Sequence, residues 1–326
     1  MKIAVAIPCF KVKKHILSVL EQIGPEVSRI YVVDDCCPEN SGDLVVQHST
    51  DPRVQVLRHS KNQGVGGAII TAYKQALRDD DIDIVVKIDG DGQMDPALLP
   101  HFIAPIERGE ADYTKGSRFF TLESLASMPP MRKFGNAALS FVNKVSSGYW
   151  TVMDPTNGYT AIHHQALRLL PLDKLSQRYF FESDMLFRLG TLRAVVQDIP
   201  MDSLYADEVS NLSIKKVILD FPPLYLKAFF KRVFYNYFLR DFNGASLKLV
   251  VGLLMMLSGS LWGGVHWLNS MLSGNQATTG TVMLAVLPII LGFQLLLSAI
   301  DYDMSHTPQR PLQRWFSCTR KSRHDS

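Results

Sequence analysis

The chain has 326 residues, which exceeds one average domain, and its net charge of +3 is too small to indicate bulk nucleic-acid binding. Hydrophobic residues make up 47% of the chain, and they are concentrated toward the C-terminus. The four cysteines lack the spacing of a metal site, and the adjacent Cys36 and Cys37 are poor disulfide partners for each other, which favours a reducing compartment. Met1 and Lys2 lead directly into a strand-like run, so no signal peptide is expected.

The N-terminal part alternates apolar, β-branched runs with helical patterns. The runs predicted as strands are Ile3–Ile7, Arg29–Val33, Val54–Leu57 and Ile82–Val86, and the predicted helices are Lys13–Ile23 and Ala68 to about Leu77. Strands that alternate with helices imply a mostly parallel sheet covered on both faces. This part is therefore expected to be a nucleotide-binding α/β domain.

The middle of the chain is less regular. Its predicted elements are a strand at 111–115 entering the basic loop Gly116–Arg118, a helix at Arg132–Val145, a strand at Thr160–Ile162, a helix from Phe180 to about Gly190 and a strand at Ala194–Ile199.

Two apolar stretches near the C-terminus have the length of membrane spans. Ser246–Ser270 and Gly280–Ile300 each match the roughly 20 residues that a bilayer core requires. Leu224–Asp241, which precedes them, mixes aromatic and aliphatic residues with basic ones, as an amphipathic helix at a membrane surface does. Lysines and arginines flank the pair on both outer sides, so both flanks are predicted to be cytoplasmic.

These patterns predict four parts: the α/β domain at 1–205, juxtamembrane amphipathic helices at 206–243, two membrane spans within 244–302 (about 246–270 and 280–300) and a basic cytoplasmic tail at 303–326. The protein is thus expected in the cytoplasmic membrane. The first span also carries small residues that allow close helix packing and hence a homo-oligomer, namely Gly252, Ser258, Gly259, Gly263 and Gly264.

An acidic loop follows the last strand of the N-terminal part. It contains Asp89, Gly90, Asp91 and Gln93, at the strand end where open α/β sheets bind their ligands. Two carboxylates separated by a glycine can converge on a hard cation such as Mg²⁺ or Mn²⁺. An acidic surface turn has the same sequence, but the strand before it and the motifs elsewhere favour a metal site.

Three further motifs follow predicted strands: Pro8–Phe10, Asp34–Asp35 and the glycine loop Asn62–Ala68, which includes Gly66. An aromatic ring can carry a flat base, and a carboxylate can accept hydrogen bonds from base or ribose. Glycines allow close backbone approach, and the helix that follows favours an anion at its N-terminus.

Together these motifs resemble the family 2 glycosyltransferases of the GT-A fold. Within that family the chain is similar to the polyprenyl-phosphate glycosyltransferases, which include dolichyl-phosphate mannose synthase and the bactoprenol-phosphate glucosyltransferases. The resemblance covers about residues 1–200, and the two spans match the bacterial arrangement. It implies a GT-A catalytic domain, Rossmann-like with a mostly parallel sheet, followed by amphipathic interface helices and a two-helix transmembrane hairpin.

The resemblance also implies a membrane-bound, inverting enzyme. Such an enzyme would move one sugar from a UDP- or GDP-sugar to a polyprenyl phosphate, such as undecaprenyl phosphate, at the cytoplasmic face, with Mg²⁺ or Mn²⁺. The metal would be held by Asp91 and Gln93, with Asp89 on metal or nucleotide. The implied catalytic residues are Asp91, Asp89 and Glu182, and the implied donor site is Pro8, Phe10, Asp34, Asp35, Asn62, Gly66, Asp89 and Gly90.

The implied acceptor-phosphate residues are Ser117, Arg118 and Arg132, because a lipid phosphate suits planar, always-charged donors. A hydroxyl acceptor would instead require a base, which Glu182 or Asp184 could supply. A phosphate is largely ionised at pH 7, so Glu182 would then orient other groups. The sequence leaves both acceptors open.

Other classes of protein predict features that differ from this chain. A processive polymer synthase predicts more spans and a Q-x-x-R-W box, whereas Gln313–Trp315 lacks that spacing. A non-catalytic membrane partner predicts broken metal carboxylates, and a dinucleotide oxidoreductase predicts G-x-G-x-x-G after the first strand. Residues 205–216 begin acidic, where mannose synthases are basic, which argues against a GDP or mannose assignment.

Overall fold

The computed structural model describes residues 1–79, 81–120, 130–201 and 214–315, with side chains for all of these except 130–132 and 214–218. The chain divides into two compact units. The first comprises Met1–Phe229 together with Pro308–Ser326, and the second is Phe230–Thr307. The apolar helices are therefore an insertion within the first unit.

The first unit is built on one sheet of seven strands among the described residues. The strands are β1 (Ile3–Cys9), β2 (Val27–Asp34), β3 (Val54–Arg58), β4 (Ile84–Lys87), β5 (Tyr113–Ser117), β6 (Thr160–His163) and β7 (Val196–Pro200). Their order is β3-β2-β1-β4-β6-β5-β7, and only β6 runs antiparallel to its neighbours among these strands. The prediction of a mostly parallel sheet is confirmed.

The predicted helices are present, and further short helices lie between them. They are α1 (Ile16–Glu21), α2 (Ser41–His48), α3 (Val65–Arg78), α4 (Leu99–Glu107), α5 (Pro130–Ser147), α6 (His164–Leu169), α7 (Phe181–Leu192), α8 (Ile214–Phe234), α9 (Gly244–Ser273) and α10 (Thr279–Ser305). The sequence analysis missed the six-residue helix α6 and also α2, whose first residues form a polar, glycine-containing run that is typical of a loop. Helix α8 begins earlier than expected and runs through Pro222 and Pro223, two residues that normally end a helix.

Helices cover both faces of the sheet, and alternate residues of β1 face opposite cores. Ile3, Val5 and Ile7 belong to the core that includes α1 and α4. Ala4 and Ala6 face the other core, which includes α3 and α7. This strict alternation fixes the register of β1, since a shift by one residue would exchange the two faces.

The second unit contains two helices long and apolar enough to cross a membrane, α9 and α10. Only 22% and 17% of their most apolar windows are buried, whereas a core helix of a soluble protein would be mostly buried. The backbones approach closely where glycines meet: a Cβ on Gly252 would lie 2.9 Å from the carbonyl oxygen of Gly292. A Cβ on Gly259 would lie 2.7 Å from that of Ala285. These glycines therefore pack the hairpin internally, and the homo-oligomer stays a prediction.

The second unit also contains a buried ion pair. The Arg232 guanidinium bonds both carboxylate oxygens of Asp303 at 2.7 and 3.0 Å, and the Tyr237 hydroxyl donates to the same carboxylate. Arg232 lies at the end of α8 and Tyr237 in the π-helical turn Tyr235–Arg240 that follows it. The predicted amphipathic segment is thus joined to the end of the second apolar helix.

Residues 308–315 return to the first unit after the second apolar helix. Asp112, which is fully buried, accepts hydrogen bonds from the backbone N–H groups of Leu312 and Gln313 at 2.9 and 3.2 Å. The Gln313 amide donates to the carbonyl oxygens of Ile106 and Ala111. The predicted basic tail, 303–326, therefore starts with the last residues of α10 and continues with a segment that is part of the first unit.

Candidate active site

The strand pairing brings the predicted site residues to one edge of the sheet. Cys9 pairs with Asp34 and Ala6 with Lys87, so the loops after β1, β2 and β4 open side by side. Because β6 is antiparallel, the turn before Thr160 reaches the same edge. The loop after β5 opens at this edge too, so motifs distant in sequence share one edge of the sheet.

A buried lysine lies directly beneath the acidic loop. The Lys87 ammonium is 2.9 Å from an oxygen of Asp89 and 3.2 Å from one of Glu182, and it donates to the carbonyl oxygen of Gly158. Burial alone lowers a lysine pKa, but the two carboxylates outweigh it and raise the pKa of Lys87. The sequence analysis missed this lysine; its signal was a single charge in an otherwise apolar strand.

Gly158 has no side chain, and the charged groups of this cluster occupy the space that a side chain would fill. A Cβ there would lie 2.5 Å from the Lys87 ammonium and 2.6 Å from a carboxylate oxygen of Asp89. Any side chain at this position would therefore displace the ion pair, which gives the glycine of the turn a steric role.

The chemistry of the acidic loop fits a divalent cation that is shared with a substrate. Asp89, Asp91 and Gln93 bring two carboxylates and an amide, and Asp91 accepts a hydrogen bond from the Gln93 backbone at 3.0 Å. Within the part of the chain that the structure describes, no group of three or more His, Cys, Asp and Glu is placed to hold a metal. Mg²⁺ is commonly held by one or two carboxylates plus substrate phosphates, and these residues match that pattern.

The two aspartates after β2 are hydrogen-bonded to their own loops. Asp34 accepts from the backbone of Cys37 and Gly42 at 2.8 and 3.1 Å. Asp35 accepts from the backbone of Gln63 and Gly64 at 2.8 and 2.7 Å. Their carboxylates thus shape the loops of the cleft, and direct contact with a nucleotide stays a prediction.

His59 completes the Asp35 network, and the sequence analysis missed it as well. Its Nδ1 lies 2.7 Å from Asp35, its Nε2 lies 2.8 Å from the Thr71 hydroxyl, and the Asn62 amide donates to the Asp35 carbonyl oxygen. On its other side the glycine loop packs closely against a neighbouring backbone. A Cβ on Gly66 would lie 2.4 Å from a backbone carbonyl oxygen, so only glycine allows this approach.

The remaining predicted donor-site residues lie at the end of β1 and in the acidic loop. Phe10 is 39% exposed, which leaves its ring accessible for stacking on a base. Gly90 is packed against the first strand, since a Cβ there would lie 3.3 Å from the carbonyl oxygen of Pro8.

On the predicted acceptor side, an arginine is held by a buried carboxylate. Arg118 forms a two-point ion pair with Asp154, at 2.7 and 3.0 Å, and Asp154 is fully buried. Ser117 is also fully buried at the end of β5. Arg132 lies in α5, but its side chain is outside those described, so its predicted role is untested.

The two candidate bases are both engaged. Glu182 is ion-paired with Lys87 at the start of α7. Asp184 accepts from the Ser176 backbone at 2.8 Å and pairs with Arg188 at 3.2 Å, so its carboxylate stabilises the α7 region.

Comparison with known proteins decides the family. The family model described as "Glycosyl transferase family 2" matches residues 5–170, which is half of the chain and contains the acidic loop. The chain is a family 2 glycosyltransferase. This confirms the family and the enzyme class predicted from the motifs.

Curated relatives of this family 2 glycosyltransferase act on lipid phosphates, according to their names. An undecaprenyl-phosphate mannosyltransferase of Micrococcus luteus is 32% identical, over 56% of this chain and 74% of that protein. A UDP-N-acetylglucosamine–dolichyl-phosphate N-acetylglucosaminyltransferase of Methanococcus voltae is 28% identical, over 62% of this chain and 85% of that protein.

Solved structures support the fold. The glucosyl-3-phosphoglycerate synthase of Mycobacterium tuberculosis, crystallised with Mn²⁺, UDP and phosphoglyceric acid, is similar with a TM-score of 0.53 and 17% identity. The match covers 71% of this chain and 78% of that one. At this identity the likeness establishes the GT-A type fold and nothing about substrate.

Proposed function

We propose that this family 2 glycosyltransferase moves a single sugar from a nucleoside-diphosphate sugar to a polyprenyl phosphate at a membrane surface. The curated relatives, whose names specify dolichyl or undecaprenyl phosphate acceptors, support this acceptor class. The two apolar helices support it independently, because a lipid acceptor is available only at a membrane.

The observation that carries the proposal is the pairing of Glu182 with Lys87. A hydroxyl acceptor must lose a proton during transfer, so its enzyme requires a carboxylate that can take one. The Glu182 carboxylate is only 11% exposed and lies 3.2 Å from the buried Lys87 ammonium, so its geometry suits it to position this cluster rather than to meet an acceptor hydroxyl. A phosphate acceptor arrives already ionised and requires no base.

Each residue at this edge of the sheet then has its own role in the transfer. An acceptor phosphate oxygen attacks the anomeric carbon while the bond to the nucleoside diphosphate breaks, so the configuration inverts. Asp91, Gln93 and Asp89 would hold Mg²⁺ or Mn²⁺, which offsets the charge that grows on the departing diphosphate. Lys87 holds Asp89 in place, and Arg118, oriented by Asp154, presents a cation toward the acceptor phosphate.

The proposal is tested by sugar transfer in membranes that contain the full chain. Radiolabelled UDP- and GDP-sugars are supplied with undecaprenyl phosphate and Mg²⁺ or Mn²⁺. We expect a labelled, acid-labile lipid that disappears in Asp91→Asn. Asp95→Asn in the same loop is the matched control, because Asp95 uses one carboxylate oxygen to accept from the Ala97 backbone and an amide oxygen can replace it.

Two results would contradict the proposal. Label that enters a polymer or a protein, and that is lost in Glu182→Gln, would identify a hydroxyl acceptor with Glu182 as its base. No transfer from any donor by folded protein would favour a non-catalytic role.

We further propose that both flanks of the hairpin lie on the cytoplasmic side of the cytoplasmic membrane. Basic residues precede and follow the two apolar helices, a distribution that favours the cytoplasm for both flanks, and the chain on either side of the second unit belongs to the first unit. A membrane-impermeant maleimide should label Asn275→Cys, between the two helices, in intact bacterial cells. The exposed native Cys36 should react only after lysis, and the reverse pattern would invert the topology.

A further inference from the structure

Helix α5 turns its polar residues toward the protein and its apolar residues outward. Asn143, Ser146 and Ser147 are 1%, 2% and 1% exposed, whereas Phe134 and Phe141 are 75% and 60% exposed. This is the reverse of an ordinary surface helix, whose apolar stripe faces the core.

The buried polar residues of α5 are hydrogen-bonded within the helix, and one further hydrogen bond joins the helix to a neighbouring segment. The Ser146 hydroxyl donates to the Asn143 carbonyl oxygen at 3.0 Å, and the Ser147 hydroxyl donates to the Asn143 side chain at 3.3 Å. The Ser140 hydroxyl donates to the carbonyl oxygen of Met153 at 2.9 Å. Rotation of the helix would bury the phenylalanines but would also break the Ser140 bond to Met153 and expose the buried polar side chains.

The outward residues form one continuous apolar face. Phe134, Ala138, Phe141 and Val142 are all exposed and are spaced at i, i+4, i+7 and i+8, so they lie on one side of the helix. The ring of Trp150 meets Phe141 edge to face at 6.4 Å between centroids. Exposed apolar faces of this kind mark sites of interaction.

We propose that this α5 apolar face contacts the interfacial region of a lipid bilayer. The helix carries Arg132, Lys133 and Lys144 and has no aspartate or glutamate. Aromatic residues on one side and only cations among its charges are the composition of a helix that lies on an anionic lipid surface. The same chain carries two helices of membrane-spanning length, which would anchor the protein to a bilayer.

The alternatives fit the face less well. A site for the isoprenoid chain of the acceptor would be concave and would bury its lining, whereas Phe134 is three-quarters exposed. A second copy of the chain docked through this same face would bring two sets of cations together, which is unfavourable.

The test measures contact with lipid directly and requires neither donor nor acceptor, so its outcome is independent of the proposed transfer reaction. Cys36 and Cys318 are replaced by serine, and Phe141→Cys is labelled with an environment-sensitive dye. The full chain is reconstituted into phosphatidylcholine vesicles with a minority of phosphatidylglycerol and with nitroxide-labelled acyl chains. Leu257→Cys, exposed on α9, is the control for contact, and Val46→Cys, exposed on α2, is the control for a solvent-facing apolar position.

We expect the dye at position 141 to be quenched, as it is at position 257, and the dye at position 46 to stay bright. Quenching at 141 should weaken in vesicles without phosphatidylglycerol, while quenching at 257 should not change. A dye at 141 that is not quenched by the labelled phospholipids but is quenched by a nitroxide-labelled polyprenyl phosphate would overturn the proposal in favour of the isoprenoid chain. A dye at 141 that is as bright as the one at 46, in protein that remains folded, would overturn it as well.

Discussion

Replacement of Lys87 by methionine tests the arrangement under the acidic loop. The ammonium is 1% exposed and compensates two carboxylates, those of Asp89 and Glu182. Methionine fills a similar volume but has no charge, so both carboxylates lose their cation. Since Asp89 also belongs to the predicted metal site, we expect sugar transfer to fall together with stability.

The expected destabilisation follows from the burial of the partners. Removal of one member of a buried ion pair costs about 3–5 kcal/mol. The side chains of Asp89 and Glu182 are 28% and 11% exposed, so water reaches part of each carboxylate and reduces the penalty. We therefore expect a loss of about 2–4 kcal/mol in the free energy of unfolding. This corresponds to a fall in Tm of about 5–12 °C for a domain of this size.

The assay is the thermal unfolding of detergent-solubilised protein, with Lys74→Met as the matched control. Lys74 pairs with Asp173 at the surface, with side chains 44% and 86% exposed, so its loss should cost about 0.5 kcal/mol or less. The double variant Lys87→Met/Glu182→Gln removes one of the uncompensated carboxylates and should recover part of the loss. The reasoning is refuted if Lys87→Met behaves like Lys74→Met, or if the double variant is no more stable than the single one.

Three further predictions concern other parts of the catalytic unit. Gly158→Ala places a Cβ against the buried ammonium, so it should abolish transfer and lower the free energy of unfolding by about 1–3 kcal/mol. Gly135→Ala has open space around the new Cβ and should stabilise α5 by about 0.5–1 kcal/mol. Equal Tm values for the two variants would contradict the steric argument. Burial lowers the pKa of His163 to about 4, so the folded state binds fewer protons than the unfolded one between pH 4 and 6.5. Stability should therefore fall by about 2–3 kcal/mol as the pH drops through that window, and His163→Asn, which can still accept from the Gln165 backbone, should lose this dependence; parallel Tm–pH curves would count against it. Gln313→Ala removes two hydrogen bonds and should lower stability by about 1–3 kcal/mol, and an unchanged Tm would mean that the C-terminal segment contributes nothing.

Local patterns were sufficient for the strands, most helices and the edge of the sheet where the site lies. Each depends on neighbouring residues: apolar runs identify strands, and the parallel order then places Asp34 and Asp89 at one edge. The acidic loop was recognisable for the same reason, since its residues are consecutive.

Features that join distant residues could not be read in this way. Lys87 and Glu182 are 95 residues apart, and Gln313 reaches Asp112 across 201 residues. From the sequence, the carboxylates of Asp34 and Asp35 were assigned to a nucleotide, because their hydrogen bonds to loop backbone groups are visible only in the folded structure. The inverted orientation of α5 was also hidden, because periodicity shows that a helix has two faces but not which one the protein covers.

The return of the C-terminal segment sets an order on biosynthesis. Residues 308–315 are made after both apolar helices, yet they supply two of the backbone hydrogen bonds to the fully buried Asp112. A nascent chain that stops before this point leaves that carboxylate without these partners, at a free-energy cost of about 1–3 kcal/mol for each polar group left unsatisfied. The catalytic unit therefore reaches its final hydrogen bonding only after the hairpin has left the ribosome, which ties maturation of the enzyme to synthesis of its apolar helices.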